Sequence, residues 1–137
     1  MPPSRPPIRV VIADDQALQR EGYRMVLEAT KGIEVVGEAG DGAHLLALLR
    51  RVPADVVLMD IQMPRVNGLV AAERVLSDAQ VRELAGRAPR IILVTALDVD
   101  EQVAAAAAAG VFAVLFKDIE PEALIEAIRS AAAGEPA

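Results

Sequence analysis

Residues 56–68 read VVLMDIQMPRVNG, and this stretch indicates the fold because an acid, Asp60, directly follows a run of apolar residues. Four consecutive apolar residues that begin with two valines are typical of a strand buried on both faces. The sequence therefore predicts a central strand over 55–59 with Asp60 at its carboxyl end. Pro64 and Gly68 predict a loop after this strand. Pro64 would stiffen the loop and Gly68 would relieve strain in its backbone, so that the loop holds the Asp60 carboxylate outward.

Outward from this strand, apolar runs alternate with segments of helical periodicity along the chain. The predicted strands are 8–13, 33–39, 55–59, 90–96 and 112–116, and the predicted helices are 17–29, 43–51, 66–76, 100–109 and 120–133. Strict alternation of strands and helices requires right-handed crossovers, which give a parallel sheet with helices on both faces. We expect a doubly wound α/β fold with five parallel strands. Residues 77–89 form either an extra turn or a continuation of the third helix.

Composition limits the classes of function. A net charge of −6 and only three aromatic residues argue against direct binding of nucleic acid by this chain. The absence of cysteine excludes disulfides, thiolate catalysis and cysteine-bound zinc, and it fits a cytoplasmic location. The uncharged, alanine-rich run 103–116 is too short to cross a membrane.

The chain length of 137 residues suits a single domain. Residues 1–7, MPPSRPP, include four prolines and predict an extended, solvated tail. We expect the folded domain to occupy 8–134, and residues 135–137 to be the start of a linker or a C-terminal tail.

Polar residues occupy the carboxyl ends of four predicted strands. In an open doubly wound sheet this edge binds ligands, next to the point where the winding direction reverses. Asp14 and Asp15 follow the first strand, Asp60 the third and Lys117 the fifth, and Thr95 lies at the end of the fourth. We expect three carboxylates, one hydroxyl and one ammonium group to converge there.

Three neighbouring carboxylates predict a cation site, because like charges in a cleft raise one another's pKa. All-oxygen ligands with open water positions suit Mg²⁺, with Mn²⁺ as a substitute. Asp60 is then the best candidate for a nucleophile that attacks phosphorus, while Thr95 and Lys117 would contact phosphoryl oxygens. By itself, Asp15 is better explained as a cap of the first helix, and the metal-site interpretation becomes the better one only when Asp60 is considered with it.

At these residues the chain resembles the receiver domain of bacterial two-component response regulators. The matching motifs are ADD at 13–15, MDIQMPRVNG at 59–68, VTA at 94–96 and the lysine after the fifth strand. Each motif is weak alone, but four in order at strand ends are specific. The resemblance covers about 8–134, and it implies a flavodoxin-like sheet with strand order 2-1-3-4-5.

The resemblance also implies a role for each site residue. Asp60 would receive a phosphoryl group from the phosphohistidine of a sensor histidine kinase. Asp15 and Asp60 would bind Mg²⁺ directly, Asp14 through water, and Gln62 through its backbone carbonyl. Thr95 and Lys117 would supply the switch hydroxyl and the lysine of the family. Such a protein is a signalling switch and not a turnover enzyme.

Longer segments are similar to the NarL/FixJ subfamily of these regulators. They are IRVVIADDQALQREGYRMVLE at 8–28, IEVVGEAGDG at 33–42 and the pair Lys117-Asp118. The subfamily resemblance implies a homodimer formed through the first and last helices, and a C-terminal helix-turn-helix domain that binds DNA and regulates transcription. Either such an output domain is missing from this chain, or the chain is a stand-alone receiver.

One position departs from the family pattern, because Val114 occupies the place that usually holds an aromatic residue three positions before the lysine. Phe112 and Phe116 are expected on the same face of the strand as Val114. This departure keeps open a receiver that acts as a phosphorylation-independent interaction module. A phosphatase or phosphotransferase is the other alternative, but Gln62 stands where such an enzyme commonly carries a second aspartate as its general acid.

Overall fold

The computed structural model describes residues 6–63, 67–96 and 99–134, with the backbone alone at 99–103. Residues 1–5 of the predicted tail, Pro64 and the predicted linker at 135–137 lie outside the described residues. The strands are β1 (Ile8–Ala13), β2 (Ile33–Ala39), β3 (Val56–Asp60), β4 (Arg90–Thr95) and β5 (Ala113–Phe116).

All strand pairs are parallel, and the strand order is β2-β1-β3-β4-β5. The doubly wound α/β fold with strand order 2-1-3-4-5 is thereby confirmed. The winding direction reverses between β1 and β3, so the crevice favoured for ligands lies between the ends of these two strands.

The helices are α1 (Ala17–Glu28), α2 (Gly42–Leu49), α3 (Gly68–Ser77), α4 (Ala79–Ala85), α5 (Val99–Ala109) and α6 (Pro121–Ala133). Five of them correspond to predicted helices with shifts of one or two residues at their ends. Capping residues define several of these ends: Asp41 caps α2 through a 2.8 Å hydrogen bond from the His44 N–H, and Gly134 ends α6 with φ of 76°.

Helix α4 settles the alternatives for residues 77–89, because α3 and α4 are two separate helices. Asp78 lies between them and caps α4 by accepting a 2.9 Å hydrogen bond from the Val81 N–H. Its carboxylate also forms a 2.7 Å ion pair with Arg50 beyond the end of α2. Gly86 ends α4 in the left-handed conformation, with φ of 87°.

The core consists of two apolar clusters, one on each face of the sheet. Cluster 1 lies between the sheet and helices α2 to α5, and its helical members are Leu45, Leu49, Ala71, Ala72, Val75, Val81 and Ala106. Cluster 2 lies between the opposite face of the sheet and helices α1 and α6. Its helical members are Leu27, Leu124, Ile128 and Ala131. The helices therefore cover both faces, as the sequence predicts. Within the described part of the chain, no helix is long and apolar enough to span a membrane.

Strand β5 differs from its prediction at its first residue. Phe112 precedes the strand and packs against cluster 2, whereas Val114 packs against cluster 1. The expectation that Phe112 shares a face with Val114 is therefore wrong, because regular alternation begins only at Ala113. Phe116 is the last residue of the strand, and 49% of its surface is exposed.

Candidate functional site

Asp14 and Asp15 follow β1, and Asp14 is held by three hydrogen bonds from different parts of the chain. Its N–H donates to the Ala39 carbonyl oxygen at 3.0 Å, and its Oδ1 accepts from the Gln16 N–H at 2.9 Å. Arg20 donates from Nη1 to the Asp14 carbonyl oxygen. Asp14 is buried and Asp15 is exposed. Asp15 does not cap α1: the N-cap residue is Gln16, which makes no side-chain capping bond.

Asp60 is the last residue of β3, one residue beyond the predicted end of that strand. The pairing continues past it, because the Ile61 N–H donates to the Val94 carbonyl oxygen at 3.0 Å. Its Oδ1 accepts a 2.9 Å hydrogen bond from the Gln62 N–H. Only 3% of Asp60 is exposed, so the expectation of an outward carboxylate is wrong: the acid lies below the surface of the crevice.

Gly68 begins α3 and lies directly against the backbone that carries Asp60. Its N–H donates to the Ile61 carbonyl oxygen at 2.8 Å. A Cβ at this position would lie 2.6 Å from Ile61 Cα and 2.8 Å from the Asp60 carbonyl oxygen. Glycine is therefore required by this close approach. Asn67, which is not among the predicted site residues, caps α3 through a 3.0 Å hydrogen bond from the Val70 N–H.

Lys117 follows β5 and reaches across the sheet edge to Asp60. Its Nζ donates to Asp60 Oδ2 at 2.9 Å, and its backbone N–H donates to the Thr95 carbonyl oxygen at 3.0 Å. Burial acts to lower the pKa of Lys117, but the hydrogen bond to Asp60 and the charges of Asp60 and Asp14 outweigh burial and raise that pKa. The ammonium group is therefore charged at neutral pH.

Thr95 ends β4 and is fully buried. It pairs with Phe116 in the register between β4 and β5, while Val94 pairs with Asp60 across β3. Thr95 thus belongs to the strand that lies between the Asp60 strand and the strand before Lys117. Thr95 therefore lies at the same edge of the sheet as Asp60 and Lys117, as its position at the end of a predicted strand indicated.

Asp14, Asp15 and Asp60 form a cluster in which one carboxylate oxygen from each residue lies within 4.8 Å of the others. Burial raises the pKa of Asp14, and the negative charges of Asp60 and Asp15 raise it further, against the opposing effects of the Gln16 N–H and Lys117. Excess negative charge in a small, all-oxygen site fits a hard divalent cation such as Mg²⁺. The predicted role of the Gln62 carbonyl stays a prediction; its N–H faces Asp60 and its side chain is exposed.

Three linked charged residues next to this cluster were not predicted, because a survey of strand ends passes over helix residues and strand interiors. Arg20, in α1, donates from Nε to Glu38 Oε1 in β2 at 3.2 Å. Arg24 donates from Nη1 to the other carboxylate oxygen, Glu38 Oε2, at 2.7 Å. The sequence signal that could have identified Arg20 is its spacing, because it is a basic residue six positions after Asp14, the first acid of the ADD motif.

Comparisons with known proteins agree with this arrangement. A family model of the response regulator receiver domain matches residues 10–129. The transcriptional regulatory protein YxjL of Bacillus subtilis (strain 168) is 45% identical over 128 residues, which are 93% of this chain and 56% of YxjL. The nitrate/nitrite response regulator protein NarP of Escherichia coli (strain K12) is 40% identical over 132 residues, 96% of this chain and 58% of NarP.

Among solved structures, the signal receiver domain of the response regulator NarL from Mycobacterium tuberculosis superposes with a TM-score of 0.83 at 32% identity. The match covers 96% of this chain and 100% of that domain. The chain spans little more than half the length of YxjL and NarP. These relatives confirm the resemblance to NarL-type regulators, and the match to the family model over most of the sequence shows that this chain belongs to the response regulator receiver domain family.

Proposed function

We propose that this chain is a phosphoacceptor receiver in which Asp60 takes a phosphoryl group from the phosphohistidine of a sensor histidine kinase. The observation that carries the proposal is the surroundings of Asp60. Its carboxylate lies beside Asp14 and Asp15, and Lys117 Nζ is 2.9 Å from its Oδ2. A carboxylate held between a cation site and a fixed ammonium group is equipped to attack phosphorus.

In this reaction a carboxylate oxygen of Asp60 forms a bond to phosphorus while the bond from phosphorus to the kinase imidazole nitrogen breaks. The electron pair of the broken bond returns to that nitrogen. The Gln62 N–H holds Asp60 Oδ1, which orients the carboxylate during the attack. Lys117 exchanges its contact with Oδ2 for a phosphoryl oxygen, and the Thr95 hydroxyl contacts another.

Asp14, Asp15 and Asp60, with the Gln62 carbonyl, would hold Mg²⁺ or Mn²⁺. The bound cation supplies positive charge that neutralises the charge developing on the phosphoryl oxygens. The raised pKa of Asp14 agrees with this assignment: burial is its main cause, and the negative charges of Asp60 and Asp15 add to it in the metal-free protein.

Phosphorylation would then act as a switch, since it adds roughly two negative charges at neutral pH. A full population shift needs the modification to favour the active state by about 5 kcal/mol. With Val114 in place of the usual aromatic residue, the shift would be transmitted by other contacts of Thr95 and β5. We infer that the receiver unit is 8–134 and that the chain signals without turning over substrates.

The output is proposed from the relatives. YxjL is named as a transcriptional regulatory protein, and both YxjL and NarP are longer than the part that this chain matches. We propose that phosphorylated Asp60 controls homodimerisation through α1 and α6 and, in the whole protein, a helix-turn-helix domain that binds DNA in the cytoplasm. This chain by itself would not bind DNA.

The phosphoacceptor assignment is tested with acetyl phosphate and Mg²⁺, followed by intact-protein mass measurement. The wild-type chain should gain one phosphoryl mass, and Asp60→Asn should gain none. Asp55→Asn is the matched control, because Asp55 precedes the same strand at its opposite end and should leave the labelling unchanged. Phosphorylation of the Asp60→Asn variant would show that another residue is the acceptor.

A further inference from the structure

We propose that Arg20 is a positioning residue for the metal site, which it orders through the backbone of Asp14. The inference rests on the proposed Mg²⁺ site but adds a residue outside the acidic cluster and the strand ends. Arg20 donates from Nη1 to the Asp14 carbonyl oxygen and from Nε to Glu38 Oε1. One guanidinium group therefore joins α1, β2 and the loop after β1.

The carbonyl contact restrains the peptide group that links Asp14 to Asp15. This group is planar, so fixing the direction of the Asp14 carbonyl also fixes the N–H and Cα of Asp15. The N–H of Asp14 is tied separately to the Ala39 carbonyl oxygen at 3.0 Å. Both sides of Asp14 are thus held, and the exposed carboxylate of Asp15 starts from a defined backbone position beside Asp60.

Glu38 orients Arg20 for this contact. Its two carboxylate oxygens are divided between two arginines of α1, with Oε1 bound to Arg20 and Oε2 bound to Arg24. The side chains of Arg20 and Glu38 are only 21% and 26% exposed, which limits the conformations open to the pair. Charge-assisted hydrogen bonds of a planar guanidinium group are well suited to hold such a fixed geometry.

Arg24 provides a natural control. It carries the same charge, lies four residues further along α1 and binds the same carboxylate. Within the described residues, Arg24 forms a hydrogen bond to Glu38 but none to Asp14. Arg20→Gln and Arg24→Gln thus remove equal charge near the site, but only the first removes the restraint on the Asp14 carbonyl.

The direction of the change in Mg²⁺ affinity separates positioning from simple electrostatics. Removing a positive charge near a cation site strengthens cation binding if only long-range charge matters. Loss of a residue that orients metal ligands weakens binding, typically by about 10-fold to 100-fold. We therefore expect Arg20→Gln to raise the Kd for Mg²⁺ about 10-fold or more, and Arg24→Gln to leave it unchanged or slightly lower.

The experiment titrates the metal-free 137-residue chain with MgCl₂ by calorimetry, and compares urea unfolding of each variant in EDTA. Arg20→Lys keeps a donor for the carbonyl and should recover part of the affinity. Glu38→Gln should weaken Mg²⁺ binding. The double variant Arg20→Gln, Glu38→Gln should raise the Kd by less than the product of the two single fold-changes, because both substitutions act on the contact between Arg20 and the Asp14 carbonyl.

An Arg20→Gln protein that binds Mg²⁺ as tightly as wild type, or an equal loss in Arg24→Gln, would overturn the inference. If Arg20→Gln does not fold in EDTA, then Arg20→Lys and Glu38→Gln decide in its place: wild-type Kd values in both would refute the positioning role. A wild-type chain that binds no Mg²⁺ would instead refute the proposed function on which the inference rests.

Discussion

Replacing Gly68 by alanine tests whether the phosphoacceptor strand depends on the close approach of α3. Helix propensity alone predicts that Gly68→Ala stabilises the protein by up to about 1 kcal/mol, because alanine loses less backbone entropy in a helix. The structure predicts the opposite sign. The added Cβ would lie 2.6 Å from Ile61 Cα and 2.8 Å from the Asp60 carbonyl oxygen, whereas ordinary van der Waals contact begins at 3.4 Å.

Both atoms that meet this Cβ belong to the backbone, so no side-chain rotation relieves the clash. Overpacking of a well-packed region typically costs about 1–3 kcal/mol, and more where the neighbours are rigid. Because both neighbours are backbone atoms, the upper part of this range, about 2–3 kcal/mol, applies. After subtraction of a propensity gain of up to about 1 kcal/mol, we expect Gly68→Ala to lower the free energy of unfolding by about 1–2 kcal/mol. The displaced Asp60 backbone should also slow phosphorylation by acetyl phosphate, since small misplacements of reacting groups reduce rates strongly.

Urea unfolding in EDTA measures the first effect, and the rate of mass gain with acetyl phosphate measures the second. Gly22→Ala is the matched control: Gly22 lies inside α1, and its added Cβ would meet no atom within 4 Å. This variant should be more stable than wild type by about 0.5–1 kcal/mol. If Gly68→Ala is as stable as Gly22→Ala and reacts at the wild-type rate, the close approach does not constrain the strand.

Two further predictions concern buried or paired acids. Asp14→Asn should stabilise the metal-free protein, because burial raises the pKa of Asp14 and its charged form therefore opposes folding at neutral pH. Urea midpoints in EDTA test this, and a less stable variant would contradict it. Asp55 has the opposite shift: burial acts to raise its pKa, but the hydrogen bonds and charge of Arg9 outweigh burial and lower it below the ordinary 3.8. Its contribution is therefore complete above pH 3.8 and is lost as pH falls through the lower folded value. The stability difference between wild type and Asp55→Asn should shrink over that acidic range, and a difference independent of pH would count against the pair.

The order of strands and helices, and the acids at the strand ends, followed from the sequence alone. Apolar runs such as 91–94 and the stripe of Leu124 and Ile128 are local patterns, because the face that a residue presents depends on its near neighbours. Parallel strands then bring their carboxyl ends to one edge, which is why Asp60 and Lys117 converge there as predicted, although 57 positions separate them.

Other features depended on how closely distant segments pack. Whether the Asp60 carboxylate faces outward or lies buried depends on how closely the neighbouring strand ends and Lys117 pack around it, and the sequence does not specify those distances. The carbonyl contact of Arg20 and the tight approach of Gly68 depend on the placement of α1 and α3 against strand ends, to within fractions of an ångström. Sequence patterns specify which face of an element is apolar, but the distances between elements result from packing of the whole core.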